Sequence, residues 1–317
     1  MKVIEHIKQA KETIFSFEIL PPLKGQNIRD IYNTIDPLME FKPPFVNVTY
    51  HREEVVYKRL NNGLLEQKVV RKRPGTVGIC AALQNRYKID AVPHILCGGF
   101  SREDTENALI DLDFLGIENV LALRGDSIKG ETYFVAEKNG HTFACDLVGQ
   151  ISDMNKGIYL DEELKNNTPT NFCIGVAGYP EKHFEAPSIN NDVQNTLKKV
   201  QQGAEYIVTQ LFFDNTRFFE YVEKCRQVGI SVPIIPGIKP IATKRHLSLL
   251  PHRFHVDIPD ELVKSVVNCR DNEQVREVGV EWAIQQCKEL KEAGVPVLHF
   301  YSMGKVDNIQ TIAKAVF

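Results

Sequence analysis

Two periodicities take turns along the chain: short stretches alternate apolar and polar residues every two positions, and longer ones repeat with a helical period. The first strand signal is Ile14-Phe15-Ser16-Phe17-Glu18-Ile19-Leu20, closed by Pro21-Pro22, which cannot continue a ladder. Successive side chains leave opposite faces of a strand, so Phe15, Phe17 and Ile19 share one face and Ser16 and Glu18 the other. Further strands are predicted at 45–50, 91–97, 120–126, 172–179, 206–213, 232–238 and 297–301. Helical spacing covers 27–41, 76–86, 144–154, 188–202, 215–228, 243–250, 259–268, 272–293 and 306–317, after a short polar helix within 1–12. Another helix opens at the capping pattern Ser101-x-x-Asp104 and stops at Gly116. The charged segment 51–73 reads as a loop with some helix, and 127–141 and 155–170 as polar excursions.

Strand–helix alternation implies parallel pairing, and eight such units in 317 residues imply closure. The expected architecture is α/β, a single (β/α)8 TIM barrel over residues 1–317. An open doubly wound sheet is the competing arrangement, but no G-x-G-x-x-G follows the first strand.

Composition narrows the partners. A net charge of −3 gives no bulk attraction to nucleic acid or an anionic membrane. No apolar run of about 18 residues is present to span a bilayer, and the N-terminus lacks the apolar core of a signal peptide. The seven cysteines are scattered and odd in number, without a C-x-x-C pair, as suits reduced thiols in the cytoplasm.

In such barrels chemistry gathers at the C-terminal ends of the strands. Polar residues predicted there are Glu18, Thr49, Tyr50, His94, Arg124, Asp126, Tyr179, Gln210, His299 and Tyr301. Facing inward, Glu18 is a desolvated carboxyl with a raised pKa, suited to general acid work; on an edge it is a carboxylate in water. His94 and His299 read equally as hydrogen-bonded core residues. Gly125 allows a ligand close to the backbone, and Arg124 and Asp126 are also placed to pair with each other at the surface. No metal-ligand spacing is present. On the helix over 188–202, Asp192, Asn195, Lys198 and Lys199 fall on one side, where they suit either a phosphate and ribose or open solvent.

Ser16-Phe17-Glu18-x-x-Pro21-Pro22, Val48-Thr49-Tyr50, Pro93-His94, Ala122-Leu123-Arg124-Gly125-Asp126, Tyr179-Pro180-Glu181-x-His183, Thr209-Gln210, Ile235-Pro236-Gly237-Ile238 and His299-Phe300-Tyr301 follow one another in order. Together they resemble the 5,10-methylenetetrahydrofolate reductases over essentially the whole chain. That resemblance implies reduction of methylenetetrahydrofolate to 5-methyltetrahydrofolate, with electrons passing from NAD(P)H through FAD in a ping-pong sequence that feeds methionine synthesis. It implies FAD contacts from Thr49, Tyr50, His94, Arg124, Gly125, Asp126, Ala144, Tyr179, His183, Ala186, Asp192, Asn195, Lys198 and Lys199. Glu18 becomes the general acid, Asp126 a charge beside the reacting rings, and Gln210 and Lys305 folate contacts. Family precedent also implies a homo-oligomer, and the chain is expected to hold the catalytic barrel alone, with no regulatory domain. The alternative is a flavin-free pterin-binding barrel that transfers a one-carbon group, or a carrier without catalysis.

Three departures from the family pattern stand out. His51-Arg52-Glu53-Glu54 occurs where small residues are common, Phe143 where a tyrosine is common, and Lys305 where an arginine is common. Lysine keeps the charge and loses the two-pronged fork.

Overall fold

The computed structural model describes residues 1–128, 131, 133–303 and 306–317. Eight parallel strands close into a barrel: β1 (Ile14–Ile19), β2 (Phe45–Val48), β5 (Asp90–Leu96), β6 (Asn119–Leu123), β7 (Cys173–Gly178), β8 (Tyr206–Leu211), β9 (Ile234–Ile238) and β10 (Val297–Tyr301). β1 completes the ring by pairing with β2 on one side and β10 on the other, with Ser16 beside His299 and Glu18 beside Tyr301. The remaining strands, β3 (Glu54–Arg59) and β4 (Leu65–Val70), form a separate antiparallel pair.

The helices are α1 (Val3–Gln9), α2 (Ile28–Ile35), α3 (Thr76–Tyr87), α4 (Arg102–Phe114), α5 (Ala144–Met154), α6 (Ile189–Gln201), α7 (Asn215–Gln227), α8 (His246–Phe254), α9 (Asp260–Asn268), α10 (Asn272–Glu292) and α11 (Asp307–Val316). Among the described residues, no helix is long and apolar enough to cross a membrane.

Period-two patterning decides which side chains face the helices. Phe15, Phe17 and Ile19 join the large core layer between sheet and helices, while Ser16 is fully buried on the opposite, interior face. A second, smaller core fills the barrel's N-terminal end with Ile14, Phe45, Val92, Tyr206, Ile235 and Val297. α1 plugs that end: Val3 is buried there, and its N–H donates to Asn119 Oδ1 at 2.8 Å. Apolar side chains fill the floor, which leaves the polar groups of the barrel toward the strand C-termini.

Three sequence expectations change. Residues 54–70 form the β3–β4 hairpin rather than a loop with helix. Val55 pairs with Val69, and Leu60 and Leu64 close a turn whose Gly63 sits at φ +83°. The interspersed lysines, arginines and glutamates hide the β-branched residues that drive this pairing. The predicted 27–41 helix ends at Ile35 and continues as a 3-10 helix over Asp36–Phe41, tightened by Pro37 in its first turn. The helix expected at 243–250 lies later, as α8, and carries Pro251 inside it.

Candidate active site

Three strands put titratable groups into the barrel mouth. Glu18 lies near the end of β1, His94 on β5 and His299 on β10. The Glu18 side chain is 17% exposed, with Oε2 3.6 Å from His94 Nε2. Burial drives the Glu18 pKa up to about 8, against the opposing pull of the Lys239 ammonium. Burial drives His94 and His299 down, each to about 3. At neutral pH the mouth therefore holds a protonated carboxyl beside the neutral His94 imidazole, and the 3.6 Å approach is too long for a hydrogen bond. Asn47 Nδ2 lies 3.4 Å from His94 Nε2, and Ser16 Oγ lies 2.8 Å from His299 Nδ1. These partners fix both rings without using Glu18, whose proton stays available.

Lys239 is a residue of this mouth that the sequence reading does not include. It follows β9 and is 8% exposed, and burial lowers its pKa to about 8 while Glu18 raises it. The signal was present as a lone lysine in the apolar run Ile234-Ile235-Pro236-Gly237-Ile238-Lys239-Pro240-Ile241. Because the Lys239 cation holds the Glu18 pKa down, Lys239→Met is expected to raise that pKa further. The alkaline limb of any step that uses the acid form of Glu18 then moves to higher pH. A rapid-reaction pH profile in which the limb stays put or moves down would rule out this coupling.

The rim is built by the loops that follow the strands. Thr49 Oγ1 bonds the Ile19 carbonyl at 3.3 Å, and the ring of Tyr50 packs on Phe100 with centroids 4.9 Å apart. Arg124 pairs with Glu185 at 2.5 Å instead of with Asp126, and its guanidinium lies 5.1 Å from the centroid of Phe134. Gly125 turns the chain at φ +85°, a left-handed conformation that side chains resist, and leaves Asp126 exposed beyond it. The His183 ring meets Tyr179 edge-on at 4.7 Å, and its backbone N–H donates to Asp192 Oδ2 at 3.1 Å. Ala186 is buried nearby, its N–H bonded to the His183 carbonyl.

The predicted face of α6 divides. Asp192 is buried and Lys199 Nζ donates to the Ala177 carbonyl at 2.6 Å, whereas Asn195 and Lys198 are exposed. Gln210 sits where β8 slips register against β9, between Val208 and Leu211, and its Oε1 accepts from the Leu211 N–H at 2.9 Å. Tyr301 donates to the Thr209 carbonyl at 2.6 Å across a point where only Gly237 fits, since a Cβ there would stand 2.3 Å from that oxygen. Lys305 lies outside the described residues.

These groups suit a flavin dinucleotide. The N-cap of α5, Phe143, provides no side-chain acceptor, so the Ala144 N–H at the start of the helix has no side-chain cap and suits an anion. Arg124 on the loop after β6 and Lys199 on α6 supply cations, and Asp192 on α6 a carboxylate for hydroxyls. Among the described residues, no three His, Cys, Asp or Glu side chains gather as a metal site.

Fold and site define a (β/α)8 barrel that carries a buried carboxyl, two buried imidazoles and a buried ammonium in its mouth. The family model described as methylenetetrahydrofolate reductase matches residues 2–316, and the chain belongs to that family. Methylenetetrahydrofolate reductase 1 of Schizosaccharomyces pombe is 33% identical over 300 residues, covering 94% of this chain and 45% of the yeast protein. Methylenetetrahydrofolate reductase (NADH) 1 of Arabidopsis thaliana is 33% identical over 316 residues, covering 96% and 48%. The chain thus spans about half the length of these relatives. The 5,10-methylenetetrahydrofolate reductase of Salmonella typhimurium is 29% identical over 293 residues, covering 92% of this chain and 86% of that protein. Among solved structures, an uncharacterized protein from Clostridium thermocellum that binds two copies of 5-methyl-5,6,7,8-tetrahydrofolic acid shares the fold. Its TM-score is 0.57 at 13% identity, covering 99% and 98% of the two chains.

Proposed function

We propose that the chain reduces 5,10-methylenetetrahydrofolate to 5-methyltetrahydrofolate, taking electrons from NAD(P)H through a noncovalent FAD. The observation that carries this reading is the buried Glu18 carboxyl, held protonated near neutral pH in the barrel mouth of a chain from this family. Opening the five-membered ring of the folate requires a proton on the departing N10 amine, and a carboxyl with a pKa of about 8 is an acid at the pH where it must act. Bound FAD would accept hydride from the nicotinamide and deliver it to the carbon between the two folate nitrogens.

The protein's own groups do the rest. Glu18 gives its proton to N10, and Lys239 limits how tightly that proton is held. The negative charge of Asp126 favours the cationic iminium that ring opening leaves on the folate. Gln210 hydrogen-bonds the pterin from the slipped register of β8. Thr49, Tyr50, Tyr179, His183 and Lys199 orient the cofactor across the rim. All seven cysteines are free thiols, in keeping with work in a reducing cytoplasm.

An anaerobic visible spectrum tests the reading. Purified protein should be yellow, bleach with NADH or NADPH, and regain colour when methylenetetrahydrofolate is added. Protein that cannot be loaded with FAD, or reduced protein that folate leaves colourless, would overturn it.

A further inference from the structure

The departure His51-Arg52-Glu53-Glu54 brings an arginine that has no ion-pair partner among the described residues. The Arg52 stem lies across the turn Cys97-Gly98-Gly99 at the end of β5. A Cβ on Gly99 would stand 2.9 Å from the Arg52 Cβ, and one on Gly98 would stand 3.1 Å from Arg52 Nη1. The two glycines leave the space that the arginine fills. The same point above Gly98 is 3.2 Å from a ring carbon of Phe134 and 3.7 Å from the Arg124 carbonyl, so the guanidinium ends between that ring and the start of the β6 loop.

Both terminal nitrogens of Arg52 are buried, and among the described residues neither has a hydrogen-bond partner. Arg124, on the next loop, has its carboxylate in Glu185; among the described residues Arg52 has none. A guanidinium stays charged at every accessible pH and carries five donors in a planar fork. Burying it unpaired is strongly unfavourable. The Phe134 ring lies against the Arg124 guanidinium and satisfies no donor of Arg52. What completes such a fork is a planar pair of anionic oxygens, which a carboxylate or phosphate group offers. A phosphate is favoured by the surroundings. Gly98 N–H donates to the Arg124 carbonyl at 3.1 Å, and the Cys97 thiol senses Asp146, Arg124 and Cys145, which brings the uncapped first turn of α5 to the same corner. Of the carboxylates near that corner, Glu185 is already taken by Arg124.

We infer that Arg52 is a ligand of the diphosphate of the bound flavin dinucleotide, closing a cationic cradle with Arg124 and the N-terminus of α5. This rests on the FAD reading above. It gives the residues after Thr49 and Tyr50 a role that the small residues common there do not have.

Flavin affinity, measured by fluorescence quenching of apo-protein, tests it without reference to turnover. Arg52→Met should weaken FAD by roughly 10- to 100-fold, the worth of a hydrogen bond to a charged group, and leave riboflavin, which has no phosphate, unchanged. Arg52→Lys keeps the stem and the charge and should recover part of the loss, which guards against misfolding of the methionine variant. Inorganic pyrophosphate should compete with riboflavin-independent binding of FAD in wild type and lose that ability in Arg52→Met. Equal FAD affinity in all three proteins, or an equal loss for riboflavin, would overturn the assignment. So would an effect confined to the KM for NAD(P)H, which would place the anion on the electron donor. Should wild type bind no flavin, the proposed function fails, and pyrophosphate binding alone, followed by calorimetry, decides Arg52: binding that depends on Arg52 keeps it as a diphosphate ligand, and none removes it.

Discussion

Glu18→Gln is expected to leave flavin binding and flavin reduction by the donor intact while slowing the folate half-reaction by roughly 10²- to 10⁴-fold, the usual worth of a positioned general acid. Glutamine keeps the shape and the neutral charge that Glu18 has at pH 7, so the pocket should not rearrange; it cannot give up a proton. Wild type should lose its folate half-reaction as pH rises through about 8, where the carboxyl ionises, and the variant should lack that limb. Stability follows with a definite sign. Between the ordinary value of 4.5 and about 8, the folded state holds a proton that the unfolded state releases, so wild-type stability falls as pH rises across that window. The variant should show no such slope from this site and be the more stable of the two at pH 8. Stopped-flow kinetics and thermal melts across this range check both halves. Normal folate turnover by Glu18→Gln would end the acid assignment.

The barrel and the inward turn of Glu18 are legible in the sequence, because barrel strands carry their patterning in short, strong signals. In β1 the alternation of Phe15, Phe17 and Ile19 with Ser16 and Glu18 was enough to turn the carboxyl inward. α5 occupies the predicted residues 144–154, and α4 opens at the predicted cap, with Ser101 accepting from the Asp104 N–H. Pairings between distant loops were not legible. Nothing local to Arg124 indicates that its partner is Glu185, 61 residues away, rather than Asp126 two residues on. Helical spacing put Asp192, Asn195, Lys198 and Lys199 on one side of α6 but could not say where the barrel edge cuts that side. Asp192 and Lys199 fall inside it and Asn195 and Lys198 outside. The β3–β4 hairpin escaped notice because both its faces reach solvent, so charges interrupt the alternation that would have marked it.

Gly279→Ala carries the largest expected effect on stability, with a sign opposite to what helix propensity gives. In an exposed helix interior, alanine in place of glycine stabilises by about 1 kcal/mol. Gly279 lies in α10, where that helix crosses the loop after β9, and a Cβ there would stand 1.9 Å from the carbonyl oxygen of Ile241 and 2.7 Å from its carbonyl carbon. Both are backbone atoms, so no rotamer change relieves the overlap, and either α10 or the loop must move. Overpacking of this kind costs about 3 kcal/mol or more, a fall in Tm of roughly 5 °C or beyond for a chain of this size. The helix is in no position to give way, because Trp282 Nε1 and Gln286 Nε2 donate to the Phe213 and Phe212 carbonyls, each at 3.0 Å, which pins α10 to the loop after β8. The loop after β9 moves instead, and Lys239 stands two residues before Ile241 on that loop. Any Gly279→Ala protein that folds should therefore also show an altered alkaline limb in its folate half-reaction, since the cation that restrains Glu18 has been displaced. A melting temperature equal to or above that of wild type would mean that α10 does not hold the loop in the way the 1.9 Å approach requires.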